Sequence, residues 1–315
     1  MIEVSSAPVA ETIGANTSPV EVSELQRGEE HRWDEFVNGA SSGTFFHLSA
    51  WQSVIRRVLG RECFYLTARR SGEITGVLPI SRARSRIFGD CLVSLPLAVY
   101  GGVCAEDEIS YRALLSAGGD LANRLQVKYL ELRNRQEPFS SDLPGRDLYV
   151  TFTQDLTAGP EKLMKALPRD TRYAIRKGQK AGLEWTEDLT PDEFYDLFAR
   201  SVHRLGTPVF ARGLFSTLQD EFPKLVRVFG VRKAGTAIAG VLCFYFRDQV
   251  IPYYSGALAE YNRDSPNSFM YWNLIEQSAA ADAYLTRSTI PEPSMLSLVV
   301  VGALGALRRR RVLGR

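Results

Sequence analysis

Residues 64–80 read FYLTARRSGEITGVLPI, and residues 226–246 read VRVFGVRKAGTAIAGVLCFYF. Each stretch runs as an apolar strand, a basic pair (Arg69-Arg70; Arg232-Lys233), a turn glycine (Gly72; Gly235), an isoleucine and then Gly-Val-Leu. Apolar β-formers on both sides of a glycine turn predict a hairpin. One residue inserted in the second turn is the only offset between the copies. The copies lie about 160 residues apart, a domain-sized period and not the roughly 20–50 residues of a solenoid. The chain therefore reads as one unit used twice.

The flanks repeat as well. Before the first hairpin, a helix starts at Trp33 and a second runs from Ser49, a plausible N-cap, to Leu59. Before the second hairpin, Thr190 caps a helix with Pro191 at its first position, and another helix covers 212–221. Asp34-Glu35-Phe36 is echoed by Asp192-Glu193-Phe194. After the first hairpin come a strand at 91–95, a helix at 108–126, a strand at 127–132 and another at 149–153. After the second come a strand at 250–255 and a helix at 268–284. Helix, helix, three antiparallel strands, helix is an α+β order. The first copy predicts a strand after the last helix of the second. The second reads Arg287-Ser288-Thr289-Ile290-Pro291-Glu292-Pro293 instead, a proline-broken linker. The expected layout is a mobile arm (1–22), a first domain (23–158), a basic helix with an incomplete second domain (159–287) and a tail (288–315). A missing strand would expose a sheet edge and lower stability.

Composition narrows the chemistry. Cys63, Cys91, Cys104 and Cys243 form no C-x-x-C, and His31, His47 and His203 fall in no metal or triad spacing. A net charge of +2 argues against a DNA-binding protein. No basic, apolar leader opens the chain.

Two stretches carry candidate site residues. Residues 168–182 (PRDTRYAIRKGQKAG) predict a helix with Arg169, Arg172, Arg176 and Lys180 on one face and Lys177 beside them. Such a face is either solvated or holds phosphate, as in a nucleotide-sugar diphosphate or a tRNA backbone. Gly178 weakens that helix by about 1 kcal/mol relative to Ala. Residues 250–268 hand a strand over to a helix through Tyr253, Tyr254, Glu260, Asn262, Asp264 and Ser268, which either cap and pack or form a site.

The two-copy order, the basic helix between the copies and the run from Tyr253 to Trp272 together resemble the FemAB family, over about residues 22–285. More narrowly, the chain resembles the FemAB-related proteins found beside exosortase/PEP-CTERM systems. The resemblance implies tandem GNAT-like acyltransferase domains. It also implies transfer of an aminoacyl group from aminoacyl-tRNA to a peptide amine of a peptidoglycan precursor. The narrower branch is associated with exopolysaccharide loci without supplying a substrate. The expectation here is transfer of an aminoacyl or other activated acyl group to an amine on an envelope or polysaccharide precursor. In that family the basic helix and a strand tyrosine contact the acceptor, which carries onto Arg172 and Tyr254. Arg176, Lys177 and Asn262 are added on chemical grounds, and Asp264 and Glu260 are the candidate bases. GNAT enzymes that use acetyl-CoA grip its diphosphate with a glycine-rich loop. Here Gly256 stands alone before Ala257-Leu258-Ala259, which disfavours acetyl-CoA; no bound cofactor is expected.

Pro291-Glu292-Pro293, the apolar run 294–307 and Arg308 to Arg311 resemble a PEP-CTERM sorting tail. As a helix of 14 residues the run would span about 21 Å against a bilayer core of about 30 Å. The expectation is a cytoplasmic protein with membrane association through 294–311. The alternatives are a tethered binding protein without catalysis, and an inactive remnant of a gene fusion.

Overall fold

The computed structural model describes residues 18–85, 89–135, 139, 143–144, 151–288 and 297–301. The first unit starts with β1 (Glu21–Glu24), α1 (Glu30–Gly39), a 3-10 turn at Phe45–His47, and α2 (Trp51–Leu59). The hairpin follows as β2 (Cys63–Arg70) and β3 (Glu73–Ser85), then β4 (Gly89–Val93), β5 (Cys104–Ala105), α3 (Glu108–Arg124) and β6 (Leu130–Glu131). β7 (Thr151–Asp155), α4 (Pro160–Ala166) and α5 (Arg169–Lys180) lead into the second unit. That unit contains β8 (Leu183–Thr186), α6 (Pro191–Arg204), α7 (Leu214–Glu221), β9 (Val226–Lys233), β10 (Thr236–Phe246) and β11 (Gln249–Ala257). A 3-10 turn (Ala259–Asp264), α8 (Pro266–Ser288) and β12 (Ser297–Val301) complete it.

The duplication holds at the level of the sheets. The first is ordered β1-β2-β3-β4-β6, with β5 also on β3; the second is ordered β7-β12-β11-β10-β9-β8. In both, the hairpin is antiparallel, and the strand after it has a parallel neighbour, β6 on β4 and β12 on β11. Both hairpin loops have two residues, each with positive φ: Ser71 (51°) and Gly72 (85°), Ala234 (48°) and Gly235 (79°). This is the primed turn whose twist matches paired strands.

The one-residue offset therefore lies outside the turn. In each copy a bulge follows the turn, and the second Gly-Val-Leu sits one position further from it. A shift of one residue moves a side chain to the other face of a sheet. Gly76 faces Leu114 of α3, whereas Gly240 faces Leu189 and Phe194 of α6. Val77 and Leu242, not Val77 and Val241, share a core.

The two units are not separate globules. α1, the Phe45–His47 turn and α2 of the first unit, with α6 and α7 of the second, form a layer between the two sheets and share one apolar core. Phe45 stacks on Phe244 at 4.3 Å between ring centroids, and Phe46 touches Phe244 and Tyr253. Each such aromatic pair adds about 0.5–1.5 kcal/mol beyond its burial. Arg57 pairs with Asp220 and Glu221, and Arg247 donates to the carbonyls of Val37 and Ala40. α3 covers the outer face of the first sheet, and α8 that of the second.

Several expectations are corrected. Val22 lies in β1, paired with Ala68, so the arm assigned to 1–22 ends in a sheet; residues 1–17 lie outside the described residues. Ser49 is not the N-cap of α2, a position held by Ala50. The Ser49 amide and hydroxyl donate to Asp34 at 2.7 and 3.0 Å. The strand expected at 127–132 is only Leu130–Glu131, and β7 joins the second sheet through β12. Arg287 and Ser288 belong to α8; the proline linker lies outside the described residues. The apolar run expected to be helical forms a strand over 297–301, in the position where the second copy was expected to lack one. Among the described residues no helix is long and apolar enough to cross a membrane.

Candidate functional site

α5 spans Arg169–Lys180, close to the sequence expectation. Its inner face is Ile175 and Gly178. A Cβ on Gly178 would lie 2.8 Å from Cβ of Phe269 on α8 and 3.4 Å from the Asp264 carbonyl. The glycine that weakens the helix locally is what lets α5 seat on α8. The basic side chains consequently point outward. Arg169, Arg176, Lys177 and Lys180 are exposed, and Arg172 is half-buried. None of the five has an acid partner among the described residues.

The handover strip forms the 3-10 turn at Ala259–Asp264, which adjoins α5, and it contains both candidate bases. Asp264 accepts from Lys233 Nζ at 2.6 Å. Glu260 accepts from Arg200 at 2.7 Å, and its own backbone amide together with Arg200 holds its carboxyl below the usual range. Asn262 is exposed, and its carbonyl accepts from the Ser265 amide.

The Lys233–Asp264 pair has a counterpart in the first unit. There Arg70 pairs with Asp107 at 2.9 Å, and Asp107 caps α3 by accepting from the Ser110 amide. Burial works against the Asp107 charge, but Ser110 and Arg70 outweigh it and hold the carboxyl low. The first member of each basic pair also repeats its role. Arg69 donates to Glu29 and to the Gly72 carbonyl, and Arg232 donates to Glu193 and to the Gly235 carbonyl. The basic pairs thus bind the hairpin to the heads of two helices, or the turn just before one, in both copies.

Tyr254 is 8% exposed and packs among Phe198, Phe210 and Phe215, where burial pushes its phenol far up. It faces α6 and α7, whereas α5 lies against α8 on the other face of the same sheet. The sheet separates Tyr254 from Arg172, so the structure does not bring these two expected contacts together.

A bulge between Leu242 and Cys243 makes Tyr253 the extra residue of β11. It turns Tyr253 and Tyr254 toward the same carbonyl of the first unit: their hydroxyls donate to Leu97 O at 3.0 and 3.4 Å. Leu97 has φ +65°, a left-handed conformation unusual outside glycine. Arg133 holds the loop from the other side, donating to Leu95 O and to Ala98 O at 2.7 Å. Tyr100 bonds Thr151 of β7 and lies beside the Tyr253 hydroxyl with Arg133. This half-open seam beyond the C-terminal ends of β4 and β6 was missed from the sequence. The Tyr253-Tyr254 doublet was the only local sign of it. Among the described residues no cluster of His, Cys, Asp and Glu could hold a metal.

Residues 166–286 match the family model of the acetyltransferase (GNAT) domain. Among solved structures, the chain is similar to FemX, with a TM-score of 0.67 and 12% identity over 90% of this chain and 88% of that one. It is similar to the C-terminal domain of an Agrobacterium fabrum protein named as a lysylphosphatidylglycerol synthetase, with a TM-score of 0.52 and 14% identity over 87% and 78%. It is also similar to a tandem GNAT protein from the clavulanic acid biosynthesis pathway, with a TM-score of 0.51 and 12% identity over 91% and 90%. No curated protein matches the chain. At these identities the likeness is one of fold. The chain carries a GNAT-fold acetyltransferase domain within a tandem GNAT-like architecture.

Proposed function

We propose that the protein is an acyltransferase of FemAB type. It moves an aminoacyl or other activated acyl group to an amine on an envelope or exopolysaccharide precursor. The observation that carries this reading is the head of α8 in the GNAT-matching unit. A glycine-rich loop would present backbone amides to a diphosphate at this point. Here the 3-10 turn fills it, with Asp264 fixed on Lys233 and Glu260 on Arg200. The Tyr261 and Ser265 amides there are spent within the turn, donating to the Leu258 and Asn262 carbonyls, so a donor other than acetyl-CoA fits better. The names of FemX and of the lysylphosphatidylglycerol synthetase agree with aminoacyl transfer. The tail motif, Pro291-Glu292-Pro293 and Arg308 to Arg311, supports placement in the exosortase-linked branch.

The chemistry asks little of side-chain acids. A neutral amine attacks the ester carbonyl, the tetrahedral oxyanion collapses, the C–O bond breaks, and the amine proton ends on the departing hydroxyl. Holding the two reactants in line replaces a bimolecular encounter and can supply about 7–11 kcal/mol of the barrier. In this reading Arg172, Arg176, Lys177 and Asn262 hold substrate phosphates on one side of the second sheet. The Tyr253 seam holds the loop of the first unit on the other.

The test is transfer by the full-length protein from radiolabelled aminoacyl-tRNA to amine-bearing envelope precursors, with acetyl-CoA in parallel. Product from the charged tRNA and none from acetyl-CoA is expected. No transfer from any activated acyl donor would falsify the assignment, and transfer from acetyl-CoA alone would overturn the donor class.

A further inference from the structure

The cations of α5 continue into α4. Lys162 and Lys165 are exposed, and both helices pack on α8, so their outward faces belong to one layer. Residues 160–180 carry seven cations against Glu161 and Asp170, so the rest of the chain is net negative by three. Near the middle of the α5 arc stands Tyr173, 69% exposed and flanked one turn away by Arg169 and Arg176. The α5 ridge is about 18 Å long. A strand of nucleic acid is usually held in a groove with several stacking rings. A single aromatic on a cationic ridge matches a planar anionic interface, where a phenol lies at headgroup depth and lysines reach phosphates.

We propose that the outer face of α4 and α5 docks the protein on an anionic phospholipid surface. Basic residues near such a surface each contribute binding that fades beyond about 8 Å at physiological salt. This interaction does not depend on the transfer reaction, and binding is measured without any acyl donor.

The experiment is co-sedimentation of the full-length protein with vesicles of phosphatidylglycerol and phosphatidylcholine, or of phosphatidylcholine alone. The variant Lys165→Gln/Arg169→Gln/Lys180→Gln is compared with Arg27→Gln/Arg204→Gln/Lys224→Gln, which removes three exposed cations elsewhere. Binding to the anionic vesicles alone is expected, falling about fivefold per cation removed from α4 and α5, or about 100-fold in all, with the second variant unchanged. Circular dichroism confirms that both variants fold. Three results overturn the proposal: equal binding to both vesicle types, as insertion of the tail would give; equal loss in both variants; or retention in the first. Failure to bind vesicles, with binding of single-stranded RNA that the first variant loses, overturns it in favour of nucleic acid.

Discussion

Three glycines lie inside helices, Gly118 and Gly119 in α3 and Gly178 in α5, and replacing Gly119 or Gly178 by alanine separates local propensity from packing. Alanine gains about 1 kcal/mol over glycine in a helix interior at either site. At Gly119 nothing lies within 4 Å of the added Cβ, so Gly119→Ala stabilises by about 0.5–1 kcal/mol. At Gly178 the Cβ meets Phe269 Cβ at 2.8 Å and Cγ at 3.3 Å. The near atom belongs to the root of a buried side chain and cannot swing away, so α5 must lift. Overpacking of this kind costs about 1–3 kcal/mol, leaving Gly178→Ala neutral to about 2 kcal/mol destabilised. Urea unfolding of both variants measures the gap. The cationic face rides on this helix, so Gly178→Ala also weakens any ligand held by Arg172. If Gly178→Ala stabilises the protein as much as Gly119→Ala, α5 is not seated on Phe269 and the placement of the basic face is wrong.

His47 tests a buried titration. The Thr44 amide donates to Nδ1, so the proton sits on Nε2 and is donated to Gly102 O; burial lowers the pKa to about 4. The unfolded chain takes up the proton near pH 6.5 and the folded one only near 4. Stability present above pH 6.5 is therefore lost as pH falls toward 4, by about 3 kcal/mol at most. His47→Gln should flatten the stability profile in that window, and an unchanged slope would remove His47 from it. Asp264→Asn should lower the unfolding midpoint yet reduce transfer less than tenfold, because the carboxylate is engaged with Lys233; a loss of about 10²–10⁴ would make it a base after all. Ending the chain at Ser288 removes β12, the strand between β7 and β11. A lower midpoint with more aggregation is expected, and unaltered melting would show that the slot needs no strand.

The hairpins, their shared turn and the order of elements were legible because two-residue turns and alternating strands leave local marks. The face that Gly-Val-Leu presents was not, because bulge position is decided by the neighbouring strand. Gly178 looked like a defect in α5 until its partner Phe269, about 90 residues away, was in place. The strand at 297–301 was hidden by composition: an apolar run of that length suits a strand slot as well as a helix, and nothing local to it names its neighbours. Tyr254 and Arg172 could each be placed on an element, but not on opposite faces of one sheet.

The duplication supplies an internal control for assigning roles. Asp264 and Lys233 repeat what Asp107 and Arg70 do in a unit that the GNAT family model does not cover. Their pairing is accounted for by the need to fix a hairpin against the segment that leads into a helix, and it requires no catalytic explanation. The same reasoning directs attention to what has no copy. Among the described residues no helix like α5 precedes β1. The first unit also has no tyrosine doublet at the position of Tyr253-Tyr254. Its strand β4 gives way instead to the loop whose Leu97 carbonyl those tyrosines hold. Where one repeat departs from the other at energetic cost, as in the bulge of β11 and the left-handed Leu97, fold maintenance alone does not demand the departure. Substitutions of the exposed cations of α5 and at the Tyr253 seam should therefore separate binding from folding, whereas substitutions in the repeated basic pairs should act first on folding.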